Sequence, residues 1–286
     1  MSPQAYLDVM IHARGYSTRR YRTLQTGYYC KPTKYQQASY HVNIVKHVRN
    51  HRVEEFRSIL SSGISPNPCN AYGESLLHMV CRRGDADLLE IMLENGSSVQ
   101  VADDYGRTPL HDACWAATPS FDTVEQIASR DITLFHMTDS RGAVPLSYVR
   151  REHWSEWIDF LERKKDTWWP PITGEDEPSE LVDVAPNERP IPEPANALTI
   201  ELAGMVASGV MSPSEARYLQ DQDMEDMDAT SSDEESDDDS SEDDSDDDDE
   251  SSSVDEEEEF EALGMTRADM DDILKRMKYS NAQQVQ

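Results

Sequence analysis

The chain has 286 residues, with 26 Lys+Arg against 57 Asp+Glu, a net charge of −31 and four cysteines. Residues 221–261 hold 25 of the acids and no Lys or Arg, which leaves −6 for the remainder. No apolar stretch approaches the ~18 residues of a membrane span, and four scattered cysteines with no CxxC pair exclude a disulfide scaffold and point to a reducing setting, so a soluble chain of the cytoplasm and/or nucleus, without a signal peptide, is expected.

Residues 1–40 are basic, with six Lys/Arg, one Asp and seven of the twelve tyrosines. Ser2-Pro3 opens a short helix that closes near Gly15. The stretch Tyr16-Ser17-Thr18-Arg19-Arg20-Tyr21-Arg22 follows. Aromatic residues between basic ones suit base stacking, and an Arg/Ser-rich, acid-poor start suits a transit peptide. The favoured expectation is plainer: an extended arm lying on the first helix of the body and covering its open end. Nucleic acid is not expected as the partner.

Residues 41–169 carry a period. Gly73, Gly106 and Gly142 recur at spacings of 33 and 36 inside NAYGESLLHMVC, DDYGRTPLHDAC and DSRGAVPLSYVR. A self-similar period near 33 marks a stack of helix pairs. Thr108-Pro109-Leu110-His111 is a helix start, with Thr as cap and Pro in the first turn. Ser75-Leu76-Leu77-His78 occupies the same place one unit earlier, and Val144-Pro145-Leu146-Ser147 one unit later. Second helices are predicted over 87–94, where Leu88, Leu89, Met92 and Leu93 share a face, and over 154–164, where Trp157, Ile158 and Leu161 do. Asn95-Gly96 ends the former.

These phrases resemble the ankyrin repeat, whose core runs roughly D-x-x-G-x-T-P-L-H-x-A. Arg107 to Ala113 match it well; Asn70, Ser75 and Leu76 depart in one unit, Val144 and Ser147 in another. Residues 41–69 read as a degenerate leading repeat with helices near 42–49 and 53–62. The resemblance implies an all-α solenoid of about three to four helix-pair repeats. His78 and His111 would then be motif histidines satisfied by backbone groups. Cys81 and Cys114, also one period apart, are expected to be packing thiols. His47 and His51 stand four apart on a helix but lack a third ligand, so no metal is expected.

Beyond the repeats, Trp168 and Trp169 are expected to cover the last unit, since solenoids need a terminal cap. Residues 170–195 read as a Pro/acid-rich linker. Residues 196–220 read as a small helical hairpin, broken at Gly209 and restarted at Ser212-Pro213, too small to stand alone. Residues 221–261 are expected to be a disordered acidic Ser/Asp/Glu segment. Within it Ser231, Ser232, Ser236, Ser240, Ser241 and Ser245 each precede an acid by three residues, a pattern that resembles the sites of acidophilic casein-type kinases. In 262–286 an amphipathic helix begins at the capping-box-like Thr266-x-x-Asp269, with Met270, Ile273, Leu274 and Met277 on one face. Its partner is either this chain or the groove of another protein.

No phosphate loop, nucleophile elbow, HExxH or dinucleotide fingerprint occurs. No catalytic residue and no cofactor are therefore expected, and an enzyme is not. The resemblance implies binding of a protein partner on a concave face by hairpin tips and the starts of inner helices. Those positions are Tyr72, Glu74, Arg82, Arg83, Asp104, Tyr105, Arg107, Trp115, Arg141, Arg151 and Glu152. Five of these are arginines expected on one face, where an acidic segment of the same chain would compete with an acidic partner. The alternative is an escort for basic clients such as histones or ribosomal proteins, which the acidic segment would neutralise.

Overall fold

The computed structural model describes residues 1–26, 32–172 and 193–230, with side chains omitted for 223–230. Cys30, most of the expected linker, the six serines and the expected C-terminal helix lie outside the described residues.

The stack is built from helix pairs. The leading pair is α3 (Val42–Arg49) and α4 (Val53–Leu60). Next come α5 (Leu76–Arg83) with α6 (Ala86–Glu94), and α7 (Pro109–Trp115) with α8 (Phe121–Arg130). Inner helices α5 and α7 pack side by side, as do outer helices α4, α6 and α8 in succession. Leu76, Leu77, Val80, Cys81, Leu88, Leu89, Leu110, Val124 and Ile127 are all sealed in the core. Each such aliphatic side chain is worth roughly 1.5–3 kcal/mol on burial.

Between pairs the chain makes a tight hairpin at each periodic glycine. Gly73, Gly106 and Gly142 have φ of 79°, 74° and 81°, the left-handed region that a side chain resists. The residue three before each glycine holds the turn. Asn70 Oδ1 accepts from the backbone N–H of Tyr72 and Glu74, Asp103 Oδ1 from Tyr105 and Arg107, and Asp139 Oδ1 from Arg141 and Ala143. Asn70 departs from the pattern without cost here, because its amide oxygen accepts as well as a carboxylate.

The motif histidines join neighbouring units. The Nδ1 of His78 accepts from the backbone of Ser75, and its Nε2–H donates to the carbonyl of Arg107 at 2.9 Å. His111 repeats this with Thr108 and with the carbonyl of Ala143, at 3.0 and 3.2 Å. The two bonds together fix one neutral tautomer.

The third unit departs from expectation. Pro145–Tyr148 forms only a 3₁₀ turn, and a second such turn covers Arg151–His153, before α9 (Trp154–Trp168). Val144 has no hydroxyl to cap a helix and Ser147 no imidazole to reciprocate, so the box that starts α5 and α7 is absent.

The ends are closed in a way that corrects the reading of the arm. Helix α1 (Pro3–Ala13) lies on α9, at the last unit and not on the first helix. Leu7 and Ile11 are fully buried there, Arg14 donates to the carbonyl of Trp169 and pairs with Asp166, and Tyr16 donates to the carbonyl of Pro170. Trp169 is buried against Phe135, and the half-buried Trp168 packs on Phe160. From α1 the chain runs past the third hairpin, where β1 (Tyr21–Arg22) pairs in parallel with β2 (Met137–Thr138). It then reaches the first unit, where α2 (Lys34–Ala38) follows and the carbonyl of Gln36 accepts from the N–H of Cys69.

The first end is covered instead by α10 (Ile200–Ser208), which packs on α2 and α3 through Leu202, Ala203, Val206 and Ala207. Leu198 N–H donates to the carbonyl of Gly63 at 2.9 Å. Helix α11 spans Pro213–Thr230, ten residues beyond the predicted hairpin. No Gly or Pro interrupts residues 214–230.

Candidate protein-binding face

The hairpins stand in register. The N–H of Asp104 donates to the carbonyl of Tyr72 at 2.8 Å, and that of Ser140 to the carbonyl of Tyr105 at 2.7 Å. This ladder aligns the tips, so Tyr72 and Tyr105 project one beside the other, 66% and 53% exposed. Arg141 holds the third tip and is exposed, as is Asp104. Burial, then the neighbouring Asp103 charge, raises the pKa of the Asp104 carboxyl.

Beside the tips the structure assembles a network. Arg82 Nη2 donates to Glu74 Oε1 at 2.8 Å and to Asp112 Oδ2 at 3.2 Å, while its Nε reaches Asp112 Oδ1 at 3.2 Å. Asp112 is sealed at 1% exposure. Burial works to lower the Arg82 pKa, but the Asp112 and Glu74 carboxylates outweigh it and the pKa is raised. The guanidinium also lies 5.5 Å from the ring centroid of Trp115, which is 42% exposed. Arg107 is held in the same manner: its Nε donates to Asp103 Oδ2 at 2.7 Å, and it lies 5.6 Å from the Tyr105 ring. Trp115 in turn leans on Tyr148 at 6.4 Å, and Tyr148 donates to Asp139 Oδ2 at 2.6 Å.

Thus Glu74, Arg82, Tyr105, Arg107 and Trp115 come together. Tyr72, Asp104 and Arg141 stand beside them at the hairpin tips, and Arg83, Arg151 and Glu152 do not join them. Arg83 turns to the carbonyl of Arg49 at 3.0 Å, Arg151 covers the Trp154 ring at 5.7 Å, and Glu152 lies 3.5 Å from His153. The two arginines at the centre of the face are thus engaged by carboxylates of their own chain.

Sequence reading missed Asp103, Asp112 and Tyr148. An acid inside the apolar phrase Pro109–Cys114 is the signal that was present for Asp112. His51 pairs with Asp85 at 2.8 Å, and no group of three metal-binding side chains occurs among the described residues. Cys69, Cys81 and Cys114 are buried free thiols, and burial raises all three, Cys69 to about 12. No described helix is long and apolar enough to cross a membrane.

A family model described as ankyrin repeats in three copies matches residues 43–136. An ankyrin repeat protein of Acanthamoeba polyphaga mimivirus is 30% identical over 109 residues, 37% of this chain and 19% of the relative. One of Pyrobaculum aerophilum is 42% identical over 65 residues, 23% of this chain and 24% of the relative. An ADP-ribosylation factor GTPase-activating protein of Arabidopsis thaliana is 43% identical over 49 residues, 17% of this chain and only 6% of the relative. The chain spans a quarter or less of these relatives. The family match ends just before the third hairpin, where the helix-starting box is also lost. Residues 43–136 of this chain are therefore ankyrin repeats.

Proposed function

We propose that the chain is a non-catalytic adaptor or regulator that holds a protein partner on the concave face of its ankyrin stack. Ankyrin repeats mediate protein–protein interaction and the family is typically non-enzymatic. One observation carries the assignment to this face: Arg82 is clamped by Glu74 and Asp112 beside the exposed indole of Trp115, next to the aligned rings of Tyr72 and Tyr105. Trp, Tyr and Arg dominate interface energetics, and side chains already held in place lose little freedom when a partner docks. The acidic run of 221–261 tunes the contact by setting the field that a charged partner meets, and phosphorylation of its serines would deepen that field. Three buried free thiols support a reducing cytoplasmic or nuclear setting.

The test is capture from native extract by the full chain and by the Trp115→Ala/Tyr105→Ala double variant. Both side chains are exposed, so the variant is expected to fold, as circular dichroism would verify. A protein retained by the parent and lost by the variant is expected. An identical set captured by both would remove the assignment.

A further inference from the structure

At the centre of the face stand four carboxylates, Glu74, Asp103, Asp104 and Asp112, against two guanidiniums, Arg82 and Arg107. Arg82 gives its Nε–H and an Nη2–H to Asp112 and shares Nη2 with Glu74, while Arg107 gives Nε–H and Nη2–H to Asp103. Arg82 thus directs its Nε and Nη2 edge, and Arg107 its own, at carboxylates of the chain, so an anion arriving here would compete with fixed, partly buried carboxylates. The acids have capacity to spare. Glu74 accepts through Oε1, and the Asp104 carboxylate is exposed at a tip. Of the other arginines expected on this face, Arg83 donates to the carbonyl of Arg49, Arg151 lies over the Trp154 ring and Arg141 stands exposed at the third tip.

The aromatic rings carry the same sign of preference. Tyr105 and Trp115 each already bind a guanidinium of their own chain over the ring, at 5.6 and 5.5 Å. They remain 53% and 42% exposed, and Tyr72 66%. A ring quadrupole beside carboxylates attracts cations and repels anions. The chain's −31 charge would steer a cationic partner toward it.

We propose that this face receives a lysine- or arginine-rich segment of a protein partner, its cations lying on Tyr72, Tyr105 and Trp115 and pairing with Glu74 and Asp104. This chemistry rests on the assignment of the face to a protein partner and specifies that partner's charge.

The experiment uses the full chain and fluorescence anisotropy at about 50 and about 300 mM NaCl. The probes are a labelled peptide of about 16 residues alternating Lys/Arg with Gly/Ser, and its Asp/Glu counterpart. The basic peptide is expected to bind, less tightly in the higher salt. Trp115→Ala and the Glu74→Gln/Asp104→Asn pair are each expected to weaken it about tenfold, with unchanged circular dichroism. Basic-peptide binding indifferent to both variants would place it on the acidic run and overturn the proposal. Binding of the acidic peptide through Trp115 would also overturn it, while leaving the face as the docking site. Absence of binding by either peptide would overturn it too, and the extract experiment would then decide separately whether the face binds a protein at all.

Discussion

Arg82 and Trp115 occupy equivalent positions 33 residues apart in successive repeats, and the guanidinium of one rests 5.5 Å from the ring centroid of the other. The stacking of units thus turns a sequence period into a contact. It also makes the face continuous: an arginine from one unit fills the gap beside the indole of the next, anchored by Asp112 from that same second unit.

The anchoring is unequal, and that can be measured. Asp112 is sealed, whereas Glu74 is a third exposed. Asp112→Ala leaves Arg82 without its buried partner and is expected to cost about 3 kcal/mol in urea unfolding. Glu74→Ala should cost less than about 1 kcal/mol. Equal losses would contradict the assigned geometry.

Two glycines with the same backbone demand separate strain from packing. Gly63 and Gly96 have φ of 98° and 89°. A Cβ on Gly63 would meet the Asn196 carbonyl oxygen at 2.1 Å, while one on Gly96 meets nothing within 4 Å. Gly96→Ala is expected to cost about 1 kcal/mol, the conformational term alone. Gly63→Ala should cost clearly more and speed proteolysis between 193 and 211, because α10 must shift. Matching melting temperatures for the two variants would refute the docking of that segment.

The N-terminal helix is expected to hold the last unit closed. Leu7→Ala removes a fully buried side chain from the α1–α9 contact and should cost about 2–4 kcal/mol. Hydrogen exchange should accelerate in α9 more than in α3. Acceleration confined to α3 would return the arm to the first end.

Stability should fall in mild acid. Burial lowers His111 and His136 to about 4, below the ordinary 6.5. For groups depressed on folding, the contribution is fully present above about 6.5, and it is lost as pH falls toward 4, because the unfolded chain takes up the protons. His51 works in the opposite sense, raised by its hydrogen bond to Asp85, but it is exposed and screened. Melting temperatures measured from about pH 7.5 to 4.5 should therefore drop, with net proton uptake on unfolding in that window. A rise on acidification would mean that these two imidazoles are not buried neutral.

The amino-acid sequence alone determined the repeats. Gly73, Gly106, Ser75, Thr108, His78 and His111 act within a few residues of themselves, through a left-handed turn, a helix cap and a reciprocal hydrogen bond. Such local chemistry is visible as spacing. It also marked the failure at Val144 and Ser147, where the capping groups are missing, although the resulting 3₁₀ turn was not foreseen. Tertiary structure decided the rest. That α1 closes the far end of the stack while α10 closes the near one depends on which apolar face fits which exposed helix, and nothing in composition or period encodes such a long-range choice. Likewise, five arginines looked alike along the chain. Only their neighbours in space distinguish Arg82 and Arg107, held by buried acids from the next inner helix and from their own hairpin, from Arg141 at an open tip. A charge acts through distance and dielectric, and both are properties of the folded chain.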